Sequence, residues 1–376
     1  MSKNEEVGAP HFHWFLPTQG DNRGIFEGGP GRRPPEIGYL KEVALAADRN
    51  GFESLLTPTG RHCDDSWLTT AALTQVTERI KFLVAFRPGL VHPTLGAQMV
   101  QTYQRLSGNR LGLNVVTGGD DKEQRSYGDF NDKDARYART GEFLSIVKRE
   151  WDGKPYTHEG QFYHVEGSGL VEPLATQNRP LIFFGGASAA AEQVSADHAD
   201  VQLFFGETPP MAAERIGKLR KIAAERGRKI RFGIRLHVIN RDTSEAAWTE
   251  ANRLLDELPD EVVAKVQGKF NSAGAAGHKR IATLHDGTKH NREALHIYPN
   301  LWAGSSLIYG NAALVGSHQE VADRIREYNS VGIEHFVLSG YPKLESSYWF
   351  GEGVIPLFRN TPSVAANADV PARAAS

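Results

Sequence analysis

Short apolar runs and longer runs with helical periodicity alternate along most of the chain. We interpret the apolar runs as strands, because they are short and rich in β-branched and aromatic residues. The run IRFGIRLHVIN has so many large apolar side chains that it is expected to be buried on both faces, as in a parallel sheet covered by helices. The predicted strands are His11–Pro17, Phe52–Thr57, Ile80–Phe86, Arg110–Thr117, Pro180–Phe184, Asp200–Phe204, Ile230–Asn240 and Glu334–Leu338.

Helical segments separate these strands, and this alternation predicts βα units with a parallel sheet. Eight units in one chain favour a TIM (β/α)8 barrel over an open doubly wound sheet. The absence of G-x-G-x-x-G after the first strand also counts against a dinucleotide-binding sheet. The main predicted helices are Glu36–Asn50, Ser66–Val76, Pro93–Leu106, Asp132–Trp151, Pro209–Arg226 and Ser317–Ser330, and Tyr156–Val165 is predicted to form a hairpin.

One long excursion interrupts the repeat after the seventh strand. Asp242–Asn300 is mostly helical in pattern, with glycine-rich breaks. We therefore predict one domain over residues 1–376, with a helical insertion at about 242–312 and a flexible, Ala- and Pro-rich tail at 360–376.

Arg235 and His237 stand two residues apart on the seventh predicted strand, so their side chains are expected to point the same way. A buried guanidinium without an anionic partner costs several kcal/mol. The partner is either a carboxylate of the protein or a bound anion, and these residues alone leave both open.

A barrel carries its site at the carboxyl ends of its strands. This rule selects residues at the predicted strand ends and in the loops that follow them. The expected lining residues are Gln19, Arg61, Cys63, Asn114, Thr117, Ser188, Phe205, Arg235, His237 and Tyr341.

Three motifs near these ends have both a functional and an ordinary structural interpretation. Gly185–Ser188 is suited to cradle a phosphate, or is a tight turn with Ser188 capping a helix. Asn114 and Thr117 are suited to bind a planar heterocycle or its ribityl chain, or to satisfy strand-end backbone groups. The run Arg136–Arg139 places a phenol and a cation over a phosphate, or is a solvated first helical turn.

Composition narrows the class of protein. The 43 Lys and Arg residues balance 45 Asp and Glu residues, which predicts no nucleic-acid partner and no attraction to anionic membranes. One cysteine, Cys63, excludes an internal disulfide framework and a cysteine zinc site, and we predict no metal. With no evident signal peptide and no apolar run of membrane-spanning length, a cytoplasmic protein is expected.

Several longer motifs together resemble the FMN-dependent alkanesulfonate monooxygenases, within the bacterial luciferase-like flavin group. The resemblance runs from about His13 to Phe358. The motifs are WFLPT, PTGRHCDDSW, RIKFLVAFRPG, NVVTGGD, RYAR, FGGAS, GRKIRFGIRLHVI, PNLWAG and FVLSGYPKLE.

The resemblance implies a TIM barrel that takes reduced FMN from a separate NAD(P)H-dependent flavin reductase. With O2, such an enzyme oxygenates an organosulfonate and breaks its carbon–sulfur bond, giving sulfite and an aldehyde. It also implies a homodimer or homotetramer. The segments Asp242–Asn300 and Ser305–Ala312 are candidate lids that exclude water.

Residue by residue, the resemblance implies catalytic roles for Cys63, Arg235, His237 and Tyr341. It implies flavin contacts for Thr57, Asn114, Thr117, Tyr137, Gly186 and Ser188. Substrate contacts are expected from Gln19, Phe205, Arg235 and Tyr309.

Three of these positions depart from the family pattern. Gln19 stands where a histidine is usual, Phe205 where a tryptophan is expected, and Tyr309 where a lid arginine is expected. These departures keep a sulfone or a sugar sulfonate open as the substrate. A deazaflavin-dependent oxidoreductase of the same fold and a non-catalytic flavin-binding protein are the remaining alternatives.

Overall fold

Eight parallel strands close into a barrel in the computed structural model, which describes residues 7–26, 31–272, 280 and 283–359. Each barrel strand pairs in parallel with the next, and the ring closes where the eighth strand pairs with the first. The predicted TIM barrel is confirmed. In chain order the barrel strands are β1 His11–Phe15, β2 Ser54–Thr57, β3 Lys81–Phe86, β4 Leu111–Val115, β7 Ile182–Gly185, β8 Val201–Phe205, β9 Arg231–Arg241 and β13 Ile333–Ser339.

Helices follow the strands, and several begin at a polar residue that binds a free backbone N–H. Asp65, Asp132 and Ser188 each accept a hydrogen bond in this way, and Ser317 forms a capping box with Glu320. The helices are α1 Ile37–Asn50, α2 Ser66–Leu73, α3 Pro93–Ser107, α4 Asp121–Ser126, α5 Lys133–Trp151, α6 Ala189–His198, α7 Pro209–Ala224, α8 Ser244–Asp256, α9 Asp260–Ser272, α10 Ser306–Tyr309, α11 His318–Ser330 and α12 Lys343–Gly353. None of the described helices is long and apolar enough to cross a membrane.

Extra strands lie outside the ring. The second half of β9 continues beyond the barrel and pairs in parallel with β12, Ala313–Ser317. Two short antiparallel strands, β10 His296–Tyr298 and β11 Leu301–Trp302, extend this edge. A separate antiparallel hairpin consists of β5 Tyr156–Glu159 and β6 His164–Ser168, as the sequence predicts.

The insertion after β9 is less purely helical than the sequence pattern predicts. Its described part contains α8 and α9 but also β10, β11 and the single turn α10. These elements share a second apolar core that includes Ile25, Ile239, Trp302, Leu307 and Tyr341. The predicted tail at 360–376 lies outside the described residues, and the domain boundaries stay predictions.

Three histidines meet in the amino-terminal half of the barrel, away from the strand ends that form the site. His13 Nδ1 lies 2.7 Å from Ser54 Oγ, and His13 Nε2 lies 3.0 Å from His335 Nδ1. His11 stacks on His335 and lies 2.6 Å from a Glu53 carboxylate oxygen. Burial lowers the pKa of His13 to about 4, and it lowers that of His335 as well.

This cluster predicts a loss of stability in acid. Below pH 6.5 the unfolded chain takes up a proton at His13 that the folded chain refuses until about pH 4. The free energy of unfolding should therefore fall across that window, by about 3 kcal/mol for this group alone. Urea unfolding at a series of pH values measures the slope. His13→Gln should reduce this slope, with His335 supplying part of what remains, whereas His164→Gln, at an exposed site, should leave it as it is; an unchanged slope in His13→Gln would contradict this account.

Candidate active site

A cavity of about 510 Å³ opens at the carboxyl ends of the barrel strands, within the size range of small-molecule sites. Strands on opposite sides of the ring contribute to it, including Leu56 from β2 and Leu203 from β8. Most of the lining is apolar. Among the polar groups of the lining, those at two places matter most, one at the start of α6 and the other at the end of β9.

Ten of the residues predicted from the sequence line this cavity. They are Gln19, Asn114, Thr117, Tyr137, Gly186, Ser188, Phe205, Arg235, His237 and Tyr309. Thr57 is fully buried within β2, Arg61 is exposed, and Cys63 is partly exposed on the loop after β2. Tyr341 is buried and stacks against His237, so it lies behind His237 and does not itself line the cavity. The chemical roles assigned to these residues stay predictions.

The turn from β7 into α6 forms the first polar place. Ser188 caps α6, its Oγ accepting from the Ala191 N–H at 3.3 Å, as the structural interpretation of this serine predicts. Gly186 has φ +148°, and a Cβ there would lie 2.6 Å from the Ala191 Cβ and 3.3 Å from the Tyr137 hydroxyl. Free N–H groups at such a helix start attract an anion.

Arg215 on α7 bonds the backbone of this turn. Its Nη1 donates to Glu207 Oε1 at 2.5 Å, and its Nη2 donates to the Gly186 carbonyl at 3.0 Å. Glu207 is fully buried, and burial raises the pKa of its carboxyl group. The arginine therefore has an ion-pair partner within the protein and fixes the backbone of the turn.

Arg235 dominates the second polar place. Its Nη1 donates to the carbonyls of Leu236 and Val337 at 2.7 and 3.3 Å, and its Nη2 donates to Ser339 Oγ at 2.9 Å. Its guanidinium carbon lies 5.0 Å from the centroid of the Phe15 ring. Burial lowers the pKa of Arg235 to about 10, which still leaves it charged at neutral pH.

No carboxylate among the described residues lies within ion-pair distance of Arg235. This separates it from the two buried cations that line the cavity. Arg215 pairs with Glu207, and Lys343 Nζ lies 3.2 Å from Asp21. The sequence left two kinds of partner open for Arg235, a protein carboxylate and a bound anion. The described residues supply no carboxylate at ion-pair distance, which leaves the bound anion.

His237 lies beside Arg235, as their spacing on the strand predicts. Its Nδ1 is 2.9 Å from Ser339 Oγ, and its ring stacks on Tyr341 with centroids 5.0 Å apart. Its Nε2 is buried without a hydrogen-bond partner among the described residues. Burial, followed by the charges of Arg235 and Lys343, lowers the pKa of His237 well below its ordinary value. The imidazole is therefore neutral at neutral pH.

The insertion contributes Tyr309, which lies where the resemblance expects a lid arginine. Its ring is 5.5 Å from that of His237, and its hydroxyl donates to the Ile25 carbonyl at 2.8 Å. The segment proposed as a lid, Ser305–Ala312, contains the helical turn α10, and Leu307 within it is fully buried. It packs as part of the second core and is not an open loop.

Sequence reasoning missed Ser339 and Lys343, although both stand in the motif FVLSGYPKLE. The rule that selects strand ends would have included both, since Ser339 ends β13 and Lys343 begins α12.

Each interpretation of the RYAR motif holds for part of it. Tyr137 reaches the cavity, whereas Arg136 and Arg139 are paired with Asp121 and Asp129. The described residues contain no cluster of histidine, cysteine and acidic side chains suited to a metal.

Comparison with known proteins identifies the family. The sequence model of luciferase-like monooxygenases matches residues 11–335. The chain belongs to the luciferase-like monooxygenase family. This agrees with the wider group to which the sequence motifs point, while the alkanesulfonate branch within it stays a prediction.

Solved structures resemble this luciferase-like protein over nearly their whole length. Riboflavin lyase, solved with a modified FMN and riboflavin, is 20% identical with a TM-score of 0.77, covering 97% of this chain and 94% of its own. EDTA monooxygenase from Chelativorans sp. BNC1 is 17% identical with a TM-score of 0.75, covering 97% of both chains. The coenzyme F420-dependent tetrahydromethanopterin reductase from Methanopyrus kandleri is 16% identical with a TM-score of 0.66, covering 94% and 100%. At these identities the likeness shows the fold alone, and a flavin- or F420-dependent oxidoreductase is the class that the family supports.

Proposed function

We propose that this luciferase-like protein is a two-component monooxygenase acting on an organosulfonate. It takes reduced FMN from a separate NAD(P)H-dependent flavin reductase and uses O2 to break the carbon–sulfur bond, releasing sulfite and an aldehyde. The observation that carries the proposal is the charge of Arg235, which lines the cavity with no described carboxylate to match it. The motif set of the chain supports the same class of substrate.

The cavity residues fit FMN. Gly186, Ser188 and the Tyr137 hydroxyl would hold its phosphate at the positive end of α6. Asn114 and Thr117 lie further along the lining, and the buried Thr117 Oγ1 has no hydrogen-bond partner among the described residues. Such an atom is a candidate contact for the polar groups of a flavin. FMN, when bound, supplies the activation of O2 that no side chain can provide.

The second polar place fits a sulfonate. This group is a permanent anion with oxygen acceptors, and a guanidinium binds it through charge-assisted hydrogen bonds. Nη1 of Arg235 donates to two backbone carbonyls and Nη2 donates to Ser339 Oγ, whereas its Nε donates to no described residue. The guanidinium is thus held in place by the barrel and keeps donor capacity for a ligand. The Phe15 ring lies 5.0 Å from the Arg235 guanidinium carbon, and the Tyr309 ring lies 5.5 Å from that of His237, so both sides of this anion site are bounded by aromatic surface.

A reconstituted assay tests the proposal. The protein is mixed with a flavin reductase, NADH, FMN and O2, together with alkanesulfonates, a sugar sulfonate and sulfones, and released sulfite is measured. We expect sulfite from at least one sulfonate, dependent on both FMN and this protein. Aldehyde and sulfinate are measured as well, because C–S cleavage of a sulfone leaves a sulfinate; an aldehyde and a sulfinate from the sulfones, with no sulfite from any sulfonate, would reassign the substrate class.

Binding measurements separate the remaining alternatives. Tight binding of a deazaflavin, with no affinity for reduced FMN, would indicate hydride transfer without oxygen. Tight binding of oxidised FMN, with hydrogen peroxide as the only product, would indicate a non-catalytic flavin protein. Either result would overturn the proposed activity.

A further inference from the structure

The Ser339 hydroxyl lies between the two polar side chains of β9. Ser339 ends β13, pairs directly with His237 across the sheet and is fully buried. Its Oγ lies 2.9 Å from Arg235 Nη2 and 2.9 Å from His237 Nδ1. One hydroxyl therefore connects the guanidinium to the imidazole.

The hydrogen atoms in this chain of contacts can be assigned. A guanidinium only donates, so the serine oxygen accepts from Arg235. The serine has a single hydrogen to donate, and His237 Nδ1 is the only acceptor that it contacts among the described residues. If Nδ1 carried the proton instead, the hydroxyl would accept twice and its own hydrogen would be buried without an acceptor. An unsatisfied buried donor of this kind is unfavourable.

A neutral imidazole has one proton, and with Nδ1 as the acceptor this proton lies on Nε2. We propose that Ser339 is a positioning residue that holds His237 as the Nε2–H tautomer, so that Arg235 and His237 present only hydrogen-bond donors to the substrate. The inference rests on the proposed function, because it assigns the substrate end of the same cavity. Nε2 has no partner among the described residues, so its N–H remains available to a ligand.

Because Arg235 and His237 present only donors at this end of the cavity, they favour a ligand group that carries no hydrogen of its own. A sulfonate has oxygen acceptors and no hydrogen of its own, so each of its contacts here is complementary. A sulfonamide of the same shape would place N–H groups against N–H groups, which costs affinity. The tautomer of His237 thus contributes to the specificity for a fully ionised group.

Nitrogen NMR of the protein labelled with 15N-histidine tests the assignment, since protonated and unprotonated ring nitrogens resonate in separate regions. The His237 signals are identified by their loss in His237→Gln. We expect the wild-type protein to carry the proton on Nε2, with Nδ1 as a hydrogen-bonded acceptor. A wild-type His237 protonated on Nδ1 would overturn the proposal. This measurement needs neither flavin nor turnover, so it stands apart from the test of the proposed function.

Variants at Ser339 complete the test. In Ser339→Ala we expect the Nδ1 signal to move to that of a free acceptor and turnover to fall roughly tenfold, the scale of one lost hydrogen bond. Ser339→Thr should restore both, and Ser339→Cys, with its weaker donor, serves if the extra methyl group disturbs the barrel. Ser347→Ala removes another buried hydroxyl, which bonds the Leu344 carbonyl, and should change neither. Unchanged His237 signals in Ser339→Ala would refute the role.

Discussion

Arg235→Ala is expected to lower turnover by roughly a hundredfold to a thousandfold, the range seen when a donor to a reacting anion is lost. The reason is that Arg215 and Lys343, the two buried cations that line the cavity, are paired with Glu207 and Asp21, so neither is placed to replace the lost charge. The affinity for reduced FMN should change little, because the α6 start lies elsewhere in the cavity. Sulfite release at saturating flavin and an anaerobic flavin titration measure the two quantities.

Two further variants make this result specific. Arg241→Ala removes an arginine from the same strand that bonds Asn240 and lies near Glu250, and it should leave turnover unchanged. Arg235→Lys keeps the charge but loses the planar fork, so an intermediate turnover is expected. If Arg235→Ala weakened flavin binding and left turnover at saturating flavin intact, Arg235 would be a ligand of the cofactor phosphate instead.

The two polar places of the cavity attract anions for different physical reasons. At the start of α6 the attraction comes from backbone N–H groups and a helix dipole, beside the ion pair of Arg215 with Glu207, whose carboxylate also lies 3.4 Å from Arg280 Nε. At the end of β9 it comes from a full charge that no described carboxylate balances. The first arrangement suits a phosphate that is bound and released with its cofactor. The second suits a substrate whose own charge completes the site.

The barrel was predictable because each of its strands is a local apolar run. Periodicity shows that such a run is buried, and counting eight of them then favours the closed ring. The strand β12 was not predicted, because it is not a local apolar run of this kind. Ala313–Ser317 is short, contains Gly316, and is a strand because it pairs with the far half of β9 and with β11. A pairing across so many residues leaves no local signal.

The candidate site divides in the same way. Arg235 and His237 were found together because their spacing of two places them on one face of a strand. Their connection through Ser339 was not predicted, because that contact depends on the register between β9 and β13. The sequence also could not show that Lys343 and Arg215 are each paired with a buried carboxylate. That fact depends on which loops meet in space, and it is what makes the charge of Arg235 distinctive.

Gly186→Ala should produce the opposite pattern to Arg235→Ala, with a loss of flavin affinity of roughly a hundredfold and turnover largely retained at saturating flavin. At φ +148° an L side chain is strained, and its Cβ would lie 2.6 Å from the Ala191 Cβ. Relief requires the start of α6 or the Tyr137 phenol to move, and these are the groups expected to hold the phosphate. Anaerobic titration with reduced FMN measures the change.

Gly217 on α7 provides the matched control, because a Cβ added there meets no atom within 4 Å. Gly217→Ala should leave flavin binding unchanged and raise the free energy of unfolding slightly, by up to about 1 kcal/mol. Unaltered flavin affinity in Gly186→Ala would place the phosphate elsewhere in the cavity. Because each of the two main variants affects one quantity and spares the other, a general loss of structure cannot produce both results. Together they decide whether the two polar places serve two different anions.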